Sequence, residues 1–152
     1  MQRPQFPSLT LRDVGEFGII RHIAGLLPIR ATEKRVAVGL GDDAAIWNPT
    51  VGTETIITTD TMVQNVHFRL ETITWRDLGW KAMAMNVSDV AAMGGRPRFA
   101  LVTIGLPPAT TLDTVREFYD GVRELCDRYS VQVIGGDTVS SPLCLVSVTV
   151  TG

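Results

Sequence analysis

The chain has 152 residues, of which 45% are hydrophobic and 20% are charged. This composition is typical of one soluble globular domain with its own core, and it excludes a disordered or fibrous chain. The net charge of -2 argues against a nucleic-acid partner, because a phosphate-binding surface normally shows a basic excess. No apolar signal segment opens the chain and no apolar run is long enough to span a bilayer, so we expect no membrane partner. The two cysteines fit no metal-binding spacing, and we predict reduced thiols in a cytoplasmic protein.

The N-terminal part of the chain predicts one helix followed by two strands. Residues 13–28 form an amphipathic pattern that opens with Asp13 and Glu16 as a capping box. Its predicted inner face consists of Phe17, Ile20, Ala24 and Leu27. Residues 36–47 and 53–60 predict two neighbouring strands, the second of which carries the β-branched Ile56 and Ile57.

The remainder of the chain alternates between helices and strands. Residues 74–93 predict a long helix, 98–107 a strand and 110–129 an amphipathic helix. The predicted inner face of the last helix consists of Leu112, Val115, Phe118, Tyr119, Val122, Leu125, Cys126 and Tyr129. Residues 131–137 and 143–152 predict two more strands around a glycine turn. The pattern therefore predicts an α/β fold of the α+β type, with a mixed sheet and helices on one of its faces.

Aspartates stand where three predicted strands end. Asp42 and Asp43 follow a Gly-Leu-Gly segment, Asp60 closes the second strand, and Asp137 follows Gly136. Aspartate and glycine are common turn residues, so each site has a structural explanation when it is taken alone. Three such sites in one small domain favour a shared function instead.

The helix predicted at 74–93 carries a polar interruption. It is apolar on nearly every side, which is typical of a buried helix. Asn86 and Asp89 are three residues apart and so share one face of it. A buried carboxylate must protonate or meet a cation, and no basic residue follows Asp89 at the helical spacing. We therefore expect Asp89 to be buried and to bind a metal ion.

The residue types favour magnesium and a nucleotide. Clustered carboxylates repel one another unless a cation lies between them, and hard oxygen ligands select Mg²⁺ over zinc or copper. Glycines beside Asp43 and Asp137 allow backbone N–H groups to approach phosphate oxygens. The sequence contains no P-loop, no protein-kinase motif set and no dinucleotide fingerprint.

The order of these motifs resembles the thiamine-monophosphate kinase family. The segments are GEFGII, GLGDDAAI, TTDTMVQNVHF, GWKAMAMNVSDVAAMGGRPRFALVTIGLP and VIGGDTVSSP, and they resemble in order the N-terminal half of that family. The family belongs to the superfamily of aminoimidazole ribonucleotide synthase. The double-aspartate and GGD segments are shared across the superfamily, whereas the others are more particular to the kinase.

The resemblance implies a set of site residues. The positions that match magnesium ligands are Asp43, Thr58, Thr59, Asp60, Asp89 and Asp137. Gly136 and Asp137 match nucleotide contacts and His67 matches a contact to thiamine phosphate, although a capping role for this histidine stays open. Asp42 is expected to hold its turn, and Asn65 to adopt the left-handed conformation that asparagine tolerates.

The resemblance also implies a reaction and an assembly. The γ-phosphoryl group of ATP would pass to thiamine monophosphate with the help of several Mg²⁺ ions, giving thiamine diphosphate. The acceptor phosphate, with a second pKa of about 6, is largely ionised at neutral pH, so no catalytic base is expected. Two such domains would form a homodimer in which their sheets pair into a barrel.

The resemblance also bears on domain organisation and leaves alternatives open. We expect residues 1–152 to be one N-terminal ATP- and Mg²⁺-binding domain, without the second domain of the family and therefore inactive by itself. One alternative is another enzyme of the superfamily, of the aminoimidazole ribonucleotide synthase or selenophosphate synthetase type. The other is a non-catalytic module for dimerisation and nucleotide binding.

Overall fold

The computed structural model describes residues 9–30 and 33–152. Its elements, in chain order, are α1 (Leu11–Leu26), β1 (Val36–Val38), β2 (Ile46–Trp47), β3 (Ile57–Val63), α2 (Trp75–Ala92), β4 (Phe99–Leu106), α3 (Leu112–Tyr129), β5 (Gln132–Ser140) and β6 (Leu145–Thr151). None of the helices in these two ranges combines the length and the apolar character that a membrane span requires.

Four of the strands form the main sheet, in the order β3-β6-β4-β5. β4 and β5 are parallel and are connected through α3, whereas β6 pairs antiparallel with both β3 and β4. The sheet is therefore mixed, as predicted. β3 and β5 form its two edges.

The segment predicted as one strand at 36–47 is a hairpin of two short strands. β1 and β2 pair antiparallel in a sheet of their own, and the glycine-aspartate segment between them is a loop. β3 does not lie beside this segment but pairs with β6 along its whole length. The prediction of two neighbouring strands was wrong, because the backbone partners of β3 come from the other end of the chain.

The helices cover one face of the main sheet, as predicted. Along β6 the residues alternate between buried valines, which face the helices, and half-exposed residues on the other face. α2 packs on β3 and β6, while α1 contacts α3 and β5. α2 and α3 cross closely, because a Cβ atom at Gly79 would overlap the carbonyl of Phe118 and one at Gly121 would overlap the carbonyl of Arg76.

The bounds of α2 and α3 agree with the sequence patterns. The Thr74 and Thr111 side chains cap their N-termini by accepting hydrogen bonds from the backbone N–H groups of Asp77 and Thr114. The predicted inner face of α3 is confirmed at its centre, where the buried residues are Val115, Phe118, Tyr119, Val122, Leu125 and Cys126. Tyr129, in its last turn, is 45% exposed and does not belong to that face.

α1 differs from its prediction in both its cap and its buried face. The Asp13 carboxylate accepts hydrogen bonds from the backbone N–H and the hydroxyl of Thr10, so the cap is Thr10–Asp13 and not Asp13–Glu16. The helix is interrupted at Gly15, which has a φ of 65° and a non-helical ψ. This interruption shifts the helical phase, and Phe17 is 77% exposed. The residues that α1 and its C-cap bury are Leu11, Ile19, Ile23 and Leu27.

The face of the sheet opposite the helices is largely uncovered, and we call it the open face. Ile57 is 69% exposed there, and Leu101 and Val139 are each 39% exposed. One end of the face is covered by the β1–β2 hairpin, where the Trp47 ring lies 6.1 Å from the Phe99 ring between centroids. Outside this end, apolar side chains of the sheet face solvent.

Candidate functional site

The aspartates of the main sheet lie within strands. Asp60 is in the middle of β3 and pairs with Val148, and Asp137 is within β5 and pairs with Thr103. Only the 42–43 pair lies beyond a strand end. The prediction that three strands end in aspartate was wrong. β3 and β5 are edge strands, where a polar side chain can remain exposed. Backbone hydrogen bonds to the neighbouring strand therefore continue past Asp60 and Asp137.

Thr58, Asp60 and Asp89 lie together at the edge between β3 and α2, and we call them the β3 cluster. The Thr58 hydroxyl donates a hydrogen bond of 3.0 Å to Oδ2 of Asp89. Thr58 and Asp60 are two residues apart on one strand, so their side chains share the face that looks toward the helices. The cluster therefore brings together two carboxylates and a hydroxyl on one side of the sheet.

Asp89 itself is exposed, and the prediction of its burial was wrong. The neighbouring apolar residues Ala91, Ala92 and Met93 are exposed as well. Apolar residues on the exposed side of the last helical turn make the sequence resemble a helix that is buried all round, although only Val90 is buried in this turn. The carboxylate is satisfied by solvent and by the hydroxyl of Thr58, and it requires no cation for stability.

Thr59 does not join the β3 cluster. Its side chain lies on the open face, since strand side chains alternate. There its hydroxyl donates to the carbonyl of Val148 at 3.1 Å and accepts from the hydroxyl of Thr149 at 3.0 Å. Thr58 and Asp60 thus lie on the face that looks toward the helices, and Thr59 lies on the open face.

The loop between β1 and β2 lies beside β5. The Cβ atom of Ala45 is 3.7 Å from the position that a Cβ would take at Gly135. Asp43, two residues earlier, is exposed in the same loop. Its backbone N–H donates to Oδ1 of Asp42 at 2.9 Å, which agrees with the predicted role of Asp42 in holding the turn.

Gly136 and Asp137 lie on the edge strand β5, and we call them, together with Asp43, the β5 cluster. Gly136 has a φ of 152°, and a Cβ atom there would overlap the carbonyl of Val102. Backbone geometry alone therefore requires glycine at this position. Asp137 is exposed, and its Oδ1 accepts a hydrogen bond of 2.8 Å from the backbone N–H of Thr138.

The two clusters lie at opposite edges of the main sheet. Asp60, Val148, Val102 and Gly136 occupy one row across the four strands. Three inter-strand spacings separate the ends of that row by roughly 14 Å, so one ion cannot contact both clusters. Within the two described ranges no three acidic, histidine or cysteine residues are close enough to hold a metal ion. The β3 cluster nevertheless fits Mg²⁺, which proteins often hold through one or two carboxylates while phosphate and water supply the other ligands.

His67 is an exposed residue that caps a turn. Its Nδ1 accepts a hydrogen bond of 3.1 Å from the backbone N–H of Val63, and its own backbone N–H donates to the carbonyl of Val63 at 2.9 Å. The neutral ring must then carry its proton on Nε2. Asn65 in the same turn has a φ of 65°, which confirms the predicted left-handed conformation.

Lys81 is a residue that the sequence analysis did not single out. Its ammonium lies 3.5 Å from the carbonyl of His67, so α2 brings a positive charge beside the His67 turn. The one sequence feature that could have indicated Lys81 is its spacing, because it precedes Asp89 by about two helical turns and so lies on a similar side of the helix. That signal is weak without knowledge of how α2 aligns with β3.

The chain is similar to known proteins over most of its length. Residues 41–152 match the family described as "AIR synthase related protein, N-terminal domain". Thiamine-monophosphate kinase of Bacillus subtilis is 43% identical over 138 residues, which cover 90% of this chain and 42% of that protein. The chain thus spans about two fifths of the length of the curated relatives that it matches.

Solved structures show the same fold. The crystal structure of thiamine-monophosphate kinase from Stenotrophomonas maltophilia K279a has a TM-score of 0.73 and 38% identity, covering 88% of this chain and 39% of that one. A structure described as "AaThiL complexed with AMPPCP and TMP" has a TM-score of 0.65 and 31% identity, covering 97% of this chain and 44% of that one. On the family match over residues 41–152, the chain belongs to the AIR synthase-related protein family through its N-terminal domain.

Proposed function

We propose that this chain is the N-terminal ATP- and Mg²⁺-binding domain of a thiamine-monophosphate kinase, which transfers the γ-phosphoryl group of ATP to thiamine monophosphate. The observation that carries the proposal is the contact between Thr58 and Asp89, because it assembles hard oxygen ligands from two elements on one side of the sheet. The 43% identity to the kinase of Bacillus subtilis supports this choice of substrate. The likeness to a structure described with AMPPCP and TMP supports it as well.

The β3 cluster is the proposed centre for magnesium and phosphate. Asp60 and Asp89 would supply carboxylate oxygens and Thr58 a hydroxyl oxygen to one ion. When bound, Mg²⁺ supplies positive charge that neutralises phosphate oxygens and aligns the two phosphate groups. No residue has to remove a proton, because the acceptor phosphate is already ionised at neutral pH.

The β5 cluster is a second proposed site. Asp43 and Asp137 lie on segments that are close to each other, and we assign both carboxylates to further Mg²⁺ ions. Gly136 is exposed on this edge strand, and we propose its backbone as a contact to nucleotide phosphates. Thr59 is assigned to an ion on the open face, where its hydroxyl lies.

His67 and Lys81 are the proposed contacts to the substrate phosphate. The Nε2–H group of His67 and the ammonium of Lys81 are both donors, and both belong to the same exposed region. Two donors of this kind favour an anion. His67 would thus act as a hydrogen-bond donor and not as a general base.

A homodimer is the proposed assembly, with the open face and the sheet edges at its interface. The exposed Ile57, Leu101 and Val139 would be covered by the sheet of a second copy. Pairing of β3 or β5 with a partner would also satisfy edge N–H and C=O groups that otherwise invite aggregation. We also keep the proposal of a cytoplasmic protein, with which the free Cys126 and Cys144 agree.

The test of this function is a reaction and a binding measurement on matched proteins. The full-length protein is incubated with thiamine monophosphate, ATP and Mg²⁺, and thiamine diphosphate is quantified by chromatography. Titration calorimetry measures whether the 152-residue chain binds ATP in a Mg²⁺-dependent way. Consumption of ATP only with another acceptor would favour a different enzyme of the superfamily, and binding without any turnover would favour a non-catalytic module.

A further inference from the structure

A pocket of about 450 Å³ opens at one end of the main sheet, between the β1–β2 hairpin, the loop that follows it and the loop between α2 and β4. This volume is within the range of about 300–1,000 Å³ that is usual for small-molecule sites. We call it the arginine pocket, because it is lined by Arg35, Arg96 and Arg98 together with a single glutamate, Glu54. The described residues that line it include no member of the β3 cluster or the β5 cluster.

Arg35 differs from the other two arginines, because its charge is already paired. Its guanidinium group donates to both carboxylate oxygens of Glu33, at 3.1 and 3.0 Å, and to the hydroxyl of Thr50 at 3.2 Å. Arg96 and Arg98 are exposed, and their side chains take part in none of the hydrogen bonds or ion pairs formed within residues 9–30 and 33–152. The chain as a whole has a net charge of -2, so this pocket is a local excess of positive charge on an acidic protein.

The end of α2 holds the loop that carries Arg96. Gly94 has a φ of 74°, and the N–H groups of Gly94 and Gly95 donate to carbonyls of the last helical turn at 2.9 and 3.0 Å. A Cβ atom at Gly95 would overlap the side chain of Ile56, which directly precedes β3. Close packing therefore fixes this loop against the sheet, so this wall of the pocket is already formed without a ligand.

Apolar side chains line another part of the arginine pocket. Trp47 is half-buried against the ring of Phe99, whereas Met93 is 73% exposed although it is apolar. A methionine side chain adapts to varied ligand shapes and makes favourable contacts with aromatic rings. The pocket thus combines cationic donors with an apolar wall.

We propose that the arginine pocket binds a phosphate monoester that carries an aromatic ring, with the phosphate on Arg96 and Arg98 and the ring against Trp47 and Met93. A guanidinium group presents parallel N–H donors to phosphate oxygens. A phosphate monoester carries about 1.5 to 2 negative charges at neutral pH, which matches two arginines better than the single charge of a carboxylate does. The proposal does not rest on the function proposed above, because the pocket contains none of the residues assigned there.

Titration calorimetry with phenyl phosphate tests the site in both the 152-residue chain and the full-length protein. EDTA is present throughout, so that sites which require Mg²⁺ stay empty. Arg96→Gln and Arg98→Gln each remove one guanidinium group, and Met93→Ser removes an apolar contact. Arg128→Gln is the control, since it removes the same charge from the last turn of α3, outside the pocket. Inorganic phosphate and benzoate are titrated for comparison.

We expect phenyl phosphate to bind the parent and Arg128→Gln equally, and more tightly than inorganic phosphate or benzoate does. Each of the substitutions at Arg96 and Arg98 should weaken its binding about tenfold, because charge-assisted hydrogen bonds are lost. Met93→Ser should weaken the binding of phenyl phosphate and leave that of inorganic phosphate unchanged, because only the ring contacts this side chain.

Absence of binding to the parent, or equal affinity in the parent and both arginine variants, would overturn the proposal. Binding by the 152-residue chain but not by the full-length protein would also overturn it, because the pocket would then be covered in the whole protein. Tighter binding of benzoate than of phenyl phosphate would show that the choice of phosphate is wrong. If Arg96→Gln does not fold, Arg96→Lys keeps the charge without the forked donors and should show weaker binding as well. Because no titration contains Mg²⁺, none of these outcomes bears on the kinase activity.

Discussion

The Thr58 hydroxyl donates a hydrogen bond of 3.0 Å to the carboxylate of Asp89, although the two residues are 31 positions apart in the chain. β3 contributes the hydroxyl and α2 the carboxylate, so the contact fixes the alignment between strand and helix. Asp60 lies two residues along β3 on the same face. The contact between Thr58 and Asp89 therefore brings polar residues from two separate sequence motifs together in the β3 cluster.

Asp60→Asn should weaken Mg²⁺-dependent ATP binding and leave the fold intact. The amide keeps the shape of the carboxylate and removes its charge, so an ion is held less well while the packing of β3 is unchanged. We expect a loss of about tenfold in affinity, which corresponds to about 1.4 kcal/mol, in titration calorimetry. Asp120→Asn, on α3 and paired with Arg123, is the control and should bind ATP as the parent does. Unchanged Mg²⁺-dependent binding in Asp60→Asn would remove Asp60 from the site.

Gly136→Ala should destabilise the protein strongly. The new Cβ would overlap the carbonyl of Val102, and the backbone has a positive φ that alanine adopts poorly. Backbone strain of this kind costs about 1–3 kcal/mol in the free energy of unfolding. Gly25→Ala is the matched control, since nothing lies within 4 Å of its Cβ position in α1. Urea denaturation should show that the control is stabilised by about 0.4–1 kcal/mol. Equal stability of Gly136→Ala and the parent would contradict the observed geometry of β5.

The two thiols should react only when the protein unfolds. Burial raises the pKa of Cys126 and of Cys144 to about 12, so neither forms the reactive thiolate at neutral pH. The ordinary pKa of a cysteine thiol is 9.0. Above that pH the unfolded chain loses these two protons while the folded protein keeps them, so the free energy of unfolding should fall as the pH rises from 9 toward 12. Iodoacetamide labelling followed by mass spectrometry checks the first point, with a denatured sample as control. Fast labelling of the native protein would show that the thiols are accessible.

Leu101→Lys should disrupt self-association. Leu101 lies in the middle of the open face and is 39% exposed, so a partner sheet would bury it. A charge buried at such an interface without a partner opposes assembly. Light scattering should report a dimer for the parent and a monomer for the variant. Val51→Lys, at a residue that is 98% exposed in the β2–β3 loop, should remain dimeric. A monomeric parent would refute the proposed dimer.

The sequence predicted the helices better than the strands. α2 and α3 follow long periodic patterns with threonine caps, and their bounds agree with the structure. α1 deviates because Gly15 breaks the helical phase, an effect that a periodic pattern cannot show. The sequence predicts strand ends at Asp60 and Asp137, whereas backbone pairing continues β3 to Val63 and β5 to Ser140.

The residue types of the candidate site could be predicted, but their grouping could not. The order of the motifs identifies five of these residues as magnesium ligands without showing which of them are neighbours: Asp43, Thr58, Asp60, Asp89 and Asp137. Only the strand order β3-β6-β4-β5 shows that these residues form two clusters at opposite edges. The sequence also could not reveal that Asp89 is exposed, because the adjacent Val90 is fully buried whereas Ala91, Ala92 and Met93 are exposed, and all four are apolar.

Phosphoryl transfer by Asp89→Asn and its parent tests the central claim most directly. The full-length protein is given thiamine monophosphate, Mg²⁺ and ATP labelled in its γ-phosphate, and label in thiamine diphosphate is counted over time. We predict that the label appears with the parent and with the control Asp120→Asn, and that Asp89→Asn is slower by about a hundredfold, as is typical when a group that stabilises transition-state charge is lost. No label in thiamine diphosphate with the parent, or an equal rate in Asp89→Asn, would contradict the account.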